Sequence, residues 1–313
     1  MRKKALLIIP IVVILLIIIL YFQKKEIPYS FYYWQQTYHI TTPKTPKYIK
    51  VLDIAYDGRA VIHKTLFKSY PKNEITPVIY LDNPVLKYKN AYPLAKEVSQ
   101  LLKEFPLKYH EIQIDCDWTN RTQKAYFNFL KELKKLTQKK LSATIRLHQV
   151  KYFKRTLVPP VDRGVLMYYN MSNFKDLKTK NYILDLDVAQ KYHYNFQNYP
   201  LKLDLALPLY AQAALIRFEE VIGAIEGVRV KDLNKNFEHL NNNFYRVKKT
   251  HYFNGRLLYR DDILRLDAVT VKDLKYAIKN LKEVMKQPDE IIFYRWGNRD
   301  FYKEEDLKEL TYW

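Results

Sequence analysis

Near the middle of the chain, the stretch Asp115-Cys116-Asp117-Trp118-Thr119 sets two carboxylates two residues apart. In an extended segment side chains alternate between faces. Gln113, Asp115 and Asp117 therefore share one face, and Ile112, Ile114 and Cys116 share the other. Two carboxylates on one face, ~6.5–7 Å apart along a strand, can divide proton transfer between them. Buried, they are costly unless paired or hydrogen-bonded, and one is expected to keep its proton to higher pH than usual. Asp53, Asp57, Asp82 and Asp204 fall on or just after other strand-like runs. Asp82 comes from the run preceding that of Asp117 and is a candidate partner for it. Asp53 and Asp204 read more readily as structural partners of arginines or backbone groups. Arg146 and His148 end a further run on a common face. His148 is read as a hydrogen-bonded structural histidine, with a general-base role as the alternative.

These residues need a scaffold that brings strand ends together. Runs rich in β-branched and aromatic residues occur at 31–38, 48–56, 76–82, 111–118, 141–148, 164–171, 201–210 and 290–296. Amphipathic helical patterns fall between several of them, at 92–105, 121–137, 187–196 and 271–285, and a last one lies at 304–310. Alternating strands and helices predict a parallel sheet, and eight strands predict a closed (β/α)8 TIM-like barrel. Residues 39–47, with two prolines, are too short for a crossover helix, and 149–162 are barely long enough, so the barrel is expected to be irregular there. Residues 211–270 separate the seventh strand from the next long helix and read as an α+β insertion.

The run from Ala5 to Phe22 is wholly apolar and reaches ~27 Å at ~1.5 Å per residue, close to a bilayer's hydrocarbon thickness. Arg2, Lys3 and Lys4 precede it, and Lys24 and Lys25 follow. No small-residue cleavage site follows, so residues 1–25 are read as an uncleaved membrane anchor and 26–313 as an extracytoplasmic domain. The chain carries +20, and removing those five basic residues leaves +15. An exported domain with that surplus suits anionic head groups or an acidic envelope polymer rather than nucleic acid. A lysine-rich composition is the plainer account of the same number. One cysteine, seven scattered histidines and six glycines give no disulfide, metal site or phosphate loop, and no cofactor is expected.

The motif around Asp115 and Asp117 resembles the fourth strand of the family 18 glycoside hydrolases, the chitinase family, which runs D-x-x-D-x-D-x-E. Met167-Tyr168-Tyr169-Asn170 is similar to that family's sixth-strand motif. Leu207-Pro208-Leu209-Tyr210-Ala211-Gln212 is similar to its seventh-strand motif, after which many members carry an α+β insertion. Trp296 resembles the tryptophan that floors its sugar subsite. The resemblance implies a sugar cleft at the strand ends, with Trp34, Trp118, Tyr169, Asn170, Tyr210 and Trp296 as contacts and Asp117 orienting an N-acetyl group. It also implies a glutamic acid where this chain has Thr119, whose hydroxyl cannot act as a general acid near neutrality. The expectation is a glycan-binding barrel without the family's usual hydrolysis. The alternatives are a hydrolase with its acid relocated to Asp82 or Asp57, and a non-catalytic envelope scaffold acting through the insertion.

Overall fold

The computed structural model describes residues 26–313, so the apolar run Ala5 to Phe22 lies outside the described residues. Among those described, no helix is long and apolar enough to cross a membrane. Eight parallel strands close into a barrel: β1 Tyr29–Tyr33, β2 Tyr48–Tyr56, β3 Thr76–Leu81, β4 Glu111–Asp115, β5 Lys140–Arg146, β6 Arg163–Met167, β7 Leu203–Pro208 and β8 Ile291–Tyr294. They pair in chain order. The ring closes where β1 pairs with β8 (Tyr29 with Ile291) and with β2 (Tyr32 with Tyr48).

The outward faces are apolar and pack under helices. Ile112, Ile114 and Cys116 around β4 and Leu141, Ala143 and Ile145 of β5 are buried, as are Tyr126, Phe129, Leu130 and Leu133 of the Gln123–Thr137 helix. The Ala91–Lys103 helix buries Leu94, Val98 and Leu102, and the Val271–Lys282 helix buries Leu274, Ala277, Ile278 and Leu281. This last helix starts at a reciprocal cap. Thr270 accepts from the Asp273 N–H at 3.2 Å, and the Asp273 carboxylate accepts from the Thr270 N–H at 2.9 Å.

The barrel interior, by contrast, is polar. At its base, the N-terminal end of the strands, Arg163 donates to Glu111 at 2.8 Å, to Tyr48 at 2.6 Å and to Asp204. Tyr48 in turn donates to Glu290 at 2.8 Å. Asp204 also accepts from the N–H groups of Asp289 and Glu290, so it holds the structural role foreseen for it. One layer up, Tyr32 donates to Gln113 at 2.6 Å, which bonds Ser142 at 3.3 Å. Both ends of the described chain meet under this base: Ile27 N–H donates to Thr311 at 3.0 Å, and Glu26 bridges Tyr312.

The irregularities are larger than the sequence suggests. No helix joins β1 to β2; instead Thr37–Tyr38 pairs with Leu66–Phe67. The β2-to-β3 connection folds back as the antiparallel strand Ala60–Lys64. Residues 147–156 form two short helices, Leu147–Lys151 and Phe153–Thr156. After β7, an antiparallel five-stranded sheet spans Gln212–Asp267, with its own cluster around Leu215, Ile225, Val247 and Leu264. It is fixed to the loop after β6 by the buried Arg265–Asp267 pair: Arg265 donates to the carbonyls of Phe174 and Asp176, and Asp267 accepts from Tyr182 N–H.

Candidate active site

The C-terminal ends of the strands form two adjoining hollows. One, of about 220 Å³, is walled by Tyr32, Trp34, Tyr80, Tyr294 and Thr144, with Asp115 in its lining. The other, of about 340 Å³, is bordered by Thr119, His148, Met171 and Tyr192. Asp117, Arg146, Met167, Tyr169 and Asn170 line both, so they stand at the junction.

Strand alternation places Asp115 inside the barrel, and Asp117 follows on the same side just past the end of β4. Asp115 is 8% exposed and accepts from the Thr144 hydroxyl at 2.6 Å. Burial, reinforced by the charge of Asp117, pushes its carboxyl up to about 6, although the Thr144 hydrogen bond, Arg146 and Lys50 pull the other way. Asp117 is bound edge to edge by Arg146, Nε to Oδ1 at 2.7 Å and Nη2 to Oδ2 at 2.8 Å. Burial works against the Arg146 charge, but the hydrogen bonds and charge of Asp117 outweigh it and raise its pKa. Thr119 is engaged with the turn that follows: its N–H donates to the Thr122 hydroxyl at 3.0 Å, and the two hydroxyls lie 3.3 Å apart.

The aromatic wall is continuous. Tyr294 stacks on Tyr169 (5.4 Å, 19°), and Trp34 meets Tyr294 edge-on at 5.8 Å and Tyr80 at 6.4 Å. The ammonium of the buried Lys50 lies 5.3 Å from the Trp34 ring centre and donates to Asp53 at 2.8 Å. Asp53 thereby has a structural partner, though a lysine and not the arginine or backbone group expected. Asn170 adopts a left-handed backbone (φ 53°), which asparagine tolerates, and its side chain accepts from the Tyr210 hydroxyl.

Several sequence-predicted residues sit elsewhere. Trp118 is 3% exposed and stacks on Tyr126 at 5.1 Å, so its ring serves strand-helix packing and only borders the larger hollow. Trp296 opens a 3-10 helix, Trp296–Phe301, packs edge-on against Phe31 and lines neither hollow. The ring that closes the cleft at the end of β8 is Tyr294, because the strand stops there and the alternation that would turn Trp296 inward is lost. His148 lies on the Leu147–Lys151 helix, not on β5, exposed at the rim. Asp57 is in the exposed turn after β2 and Asp82 is half-buried past β3; neither lines the cleft. Tyr80 and Thr144 were missed. Thr144 shares the inward phase of β5 with Ser142, and Tyr80 pairs in register with the inward Asp115; strand phase is the signal that would have found them.

The raised Asp115 pKa has a measurable consequence. A carboxyl whose folded pKa (about 6) exceeds its ordinary value (3.8) contributes stability below the latter, and that contribution is lost as pH rises through the former. Asp115→Asn keeps an acceptor for Thr144. It is expected to match the parent near pH 4 and to exceed it by ~2–3 kcal/mol at pH 8, ~5 °C in Tm. Parallel melting curves across that range would show that Asp115 is not the strained group.

No protein-family model matches the sequence, and no curated protein matches it either. Solved structures do match. The spore cortex-lytic enzyme SleL of Bacillus megaterium superposes with a TM-score of 0.56 at 14% identity, over 92% of this chain and 75% of that one. SleL of Bacillus cereus gives 0.54 at 13%, over 92% and 74%. The GH18 chitinase ChiB of Flavobacterium johnsoniae gives 0.51 at 10%, over 84% and 85%. At these identities the likeness is one of fold. The chain is a divergent (β/α)8 barrel, similar in architecture to the family 18 chitinase-like glycosidases.

Proposed function

We propose that the protein binds glycan in the double hollow without the substrate-assisted hydrolysis of family 18 enzymes, and that residues 5–22 anchor it to a membrane with the barrel outside the cytoplasm. The observation that carries the cleft reading is the Arg146 fork on Asp117. Both carboxylate oxygens that would orient an acetamido group are engaged, and among the described residues Asp115 and Asp117 are the only carboxylates lining the hollows. The residue two past Asp117 is Thr119, a hydroxyl. What remains is an aromatic-walled cleft with polar groups at its junction, suited to the apolar faces and hydroxyls of sugar rings. The anchor reading rests on the sequence, and the acidic-polymer partner on the net charge.

Trp34→Ala tests the cleft. Losing a central aromatic contact commonly costs ~2 kcal/mol, so oligosaccharide affinity measured by calorimetry is expected to fall roughly 30-fold with the fold retained. A screen of neutral and acidic oligosaccharides in which none binds would sink the glycan reading. The scaffold reading has one observation in its favour: Phe218, 94% exposed at the tip of the hairpin joining Gln212–Arg217 to Glu220–Glu226. Partner capture that depends on Phe218 and not on Trp34 would put that reading first.

A further inference from the structure

A third hollow, of about 550 Å³, opens on the flank of the barrel and shares no lining residue with the cleft. Its origin is the irregular start of the fold. A parallel crossover ordinarily lays a helix over the outer face of its strands. None lies between β1 and β2, so the outward-facing Tyr29 and Phe31 of β1 form the back of an open groove. Trp296 and Tyr302, from the segment after β8, make one side, and the loops at Pro43–Lys47 and Asn73–Glu74 make the other.

The rings meet edge-on, Tyr29 with Phe31 at 5.9 Å and Phe31 with Trp296 at 5.2 Å. Around them sit charges of both signs. Lys44 donates to Glu304 at 2.6 Å and Lys47 to Glu290 at 2.7 Å. Arg299 covers the Trp296 ring at 3.8 Å and lies beside Asp300. With Glu74, the lining holds three cations and four carboxylates, in a chain whose overall charge is +20. That balance offers little to an anion, and so many charged groups ill suit a purely apolar ligand. Aromatic edges interleaved with donors and acceptors match an uncharged polyhydroxylated ligand, whose C–H faces meet rings and whose hydroxyls meet charged groups.

We propose that this flank groove is a second saccharide site, for an uncharged stretch of glycan. The choice of sugar as ligand class rests on the glycan reading of the cleft; the site itself does not. A polymer long enough to occupy both would be held more tightly than either site alone allows.

The four tryptophans make the test direct. In the full chain labelled with 5-fluorotryptophan, with fluorine signals assigned by Trp→Phe substitution, Trp34 reports the cleft and Trp296 the groove. Titration with uncharged chitin-type and cellulose-type tetrasaccharides is expected to shift both signals, each with its own saturation. Thr45→Tyr or Asn73→Tyr, which crowd the groove from separate loops, should weaken the Trp296 response at least tenfold and leave that of Trp34 unchanged. A Trp34 shift with Trp296 fixed at saturation would overturn the groove and spare the cleft. A Trp296 shift with Trp34 fixed would do the reverse. Silence from both would overturn both. A Trp296 shift that follows protein concentration rather than sugar would assign the groove to self-association and overturn the proposal.

Discussion

Chitin-type oligosaccharides incubated with this protein should remain intact over hours. A positioned general acid is worth ~10²–10⁴ in rate, and the residue two past Asp117 is a hydroxyl bonded into its own turn. The same arithmetic predicts a gain. Thr119→Glu combined with Arg146→Leu would supply a carboxyl and release Asp117 from its fork. Hydrolysis by that double variant, followed by product chromatography, is expected to exceed the parent's by at least ~100-fold. Thr119→Glu alone should gain less, because Asp117 would still be held at both oxygens by Arg146. Rapid cleavage by the unaltered protein that vanishes in Asp117→Asn would reject the binding-only reading.

The second large effect lies at the opposite end of the barrel. Arg163 is the cation shared by Glu111 and Asp204, with side-chain exposures of 21%, 16% and 3%. Arg163→Met leaves two carboxylates close together in a low-dielectric interior. Breaking such a pair by removing one partner typically costs ~3–5 kcal/mol, which for a domain of this size lowers Tm by ~10 °C. Adding Glu111→Gln and Asp204→Asn to the same protein should restore most of the loss, since the charges left unpaired are then gone. A Tm within ~2 °C of the parent for Arg163→Met would mean that water reaches the base and the network carries no such weight.

These two ends differ in how far the sequence revealed them. The barrel strands and the three long helices were legible because the strands are rich in β-branched and aromatic residues even though polar side chains alternate into the interior, while one-sided burial leaves a 3.6-residue period in the helices. Asp115 and Asp117 were legible because strand parity fixes their side. Parity failed where β5 and β8 stopped early: Trp296 entered a 3-10 helix and His148 left β5 for a short helix. Trp118, on the phase of Ile114 and Cys116, turned to the helix layer as parity requires, and only the resemblance had put it in the cleft. The base network was only partly foreseen. Asp204 could be guessed as an arginine partner, but Tyr48, Glu111, Arg163 and Glu290 come from strands far apart in sequence, and only closure of the ring makes them neighbours. The Arg146 fork is similar: the sequence placed both residues at strand ends without showing that they face each other.

Because residues 26–27 and 311–312 pair beneath the barrel base, the described chain starts on the side away from the cleft. A strand of nine residues such as β2, tilted as barrel strands are, gives a stand-off of roughly 25 Å between tether and cleft mouth. A protein held by residues 5–22 would therefore look outward like a probe on a short stalk. Lipid head groups would lie out of its reach, and it would sample polymer in the layer above the bilayer, with the length of the barrel setting how far from the surface a chain must pass to be caught.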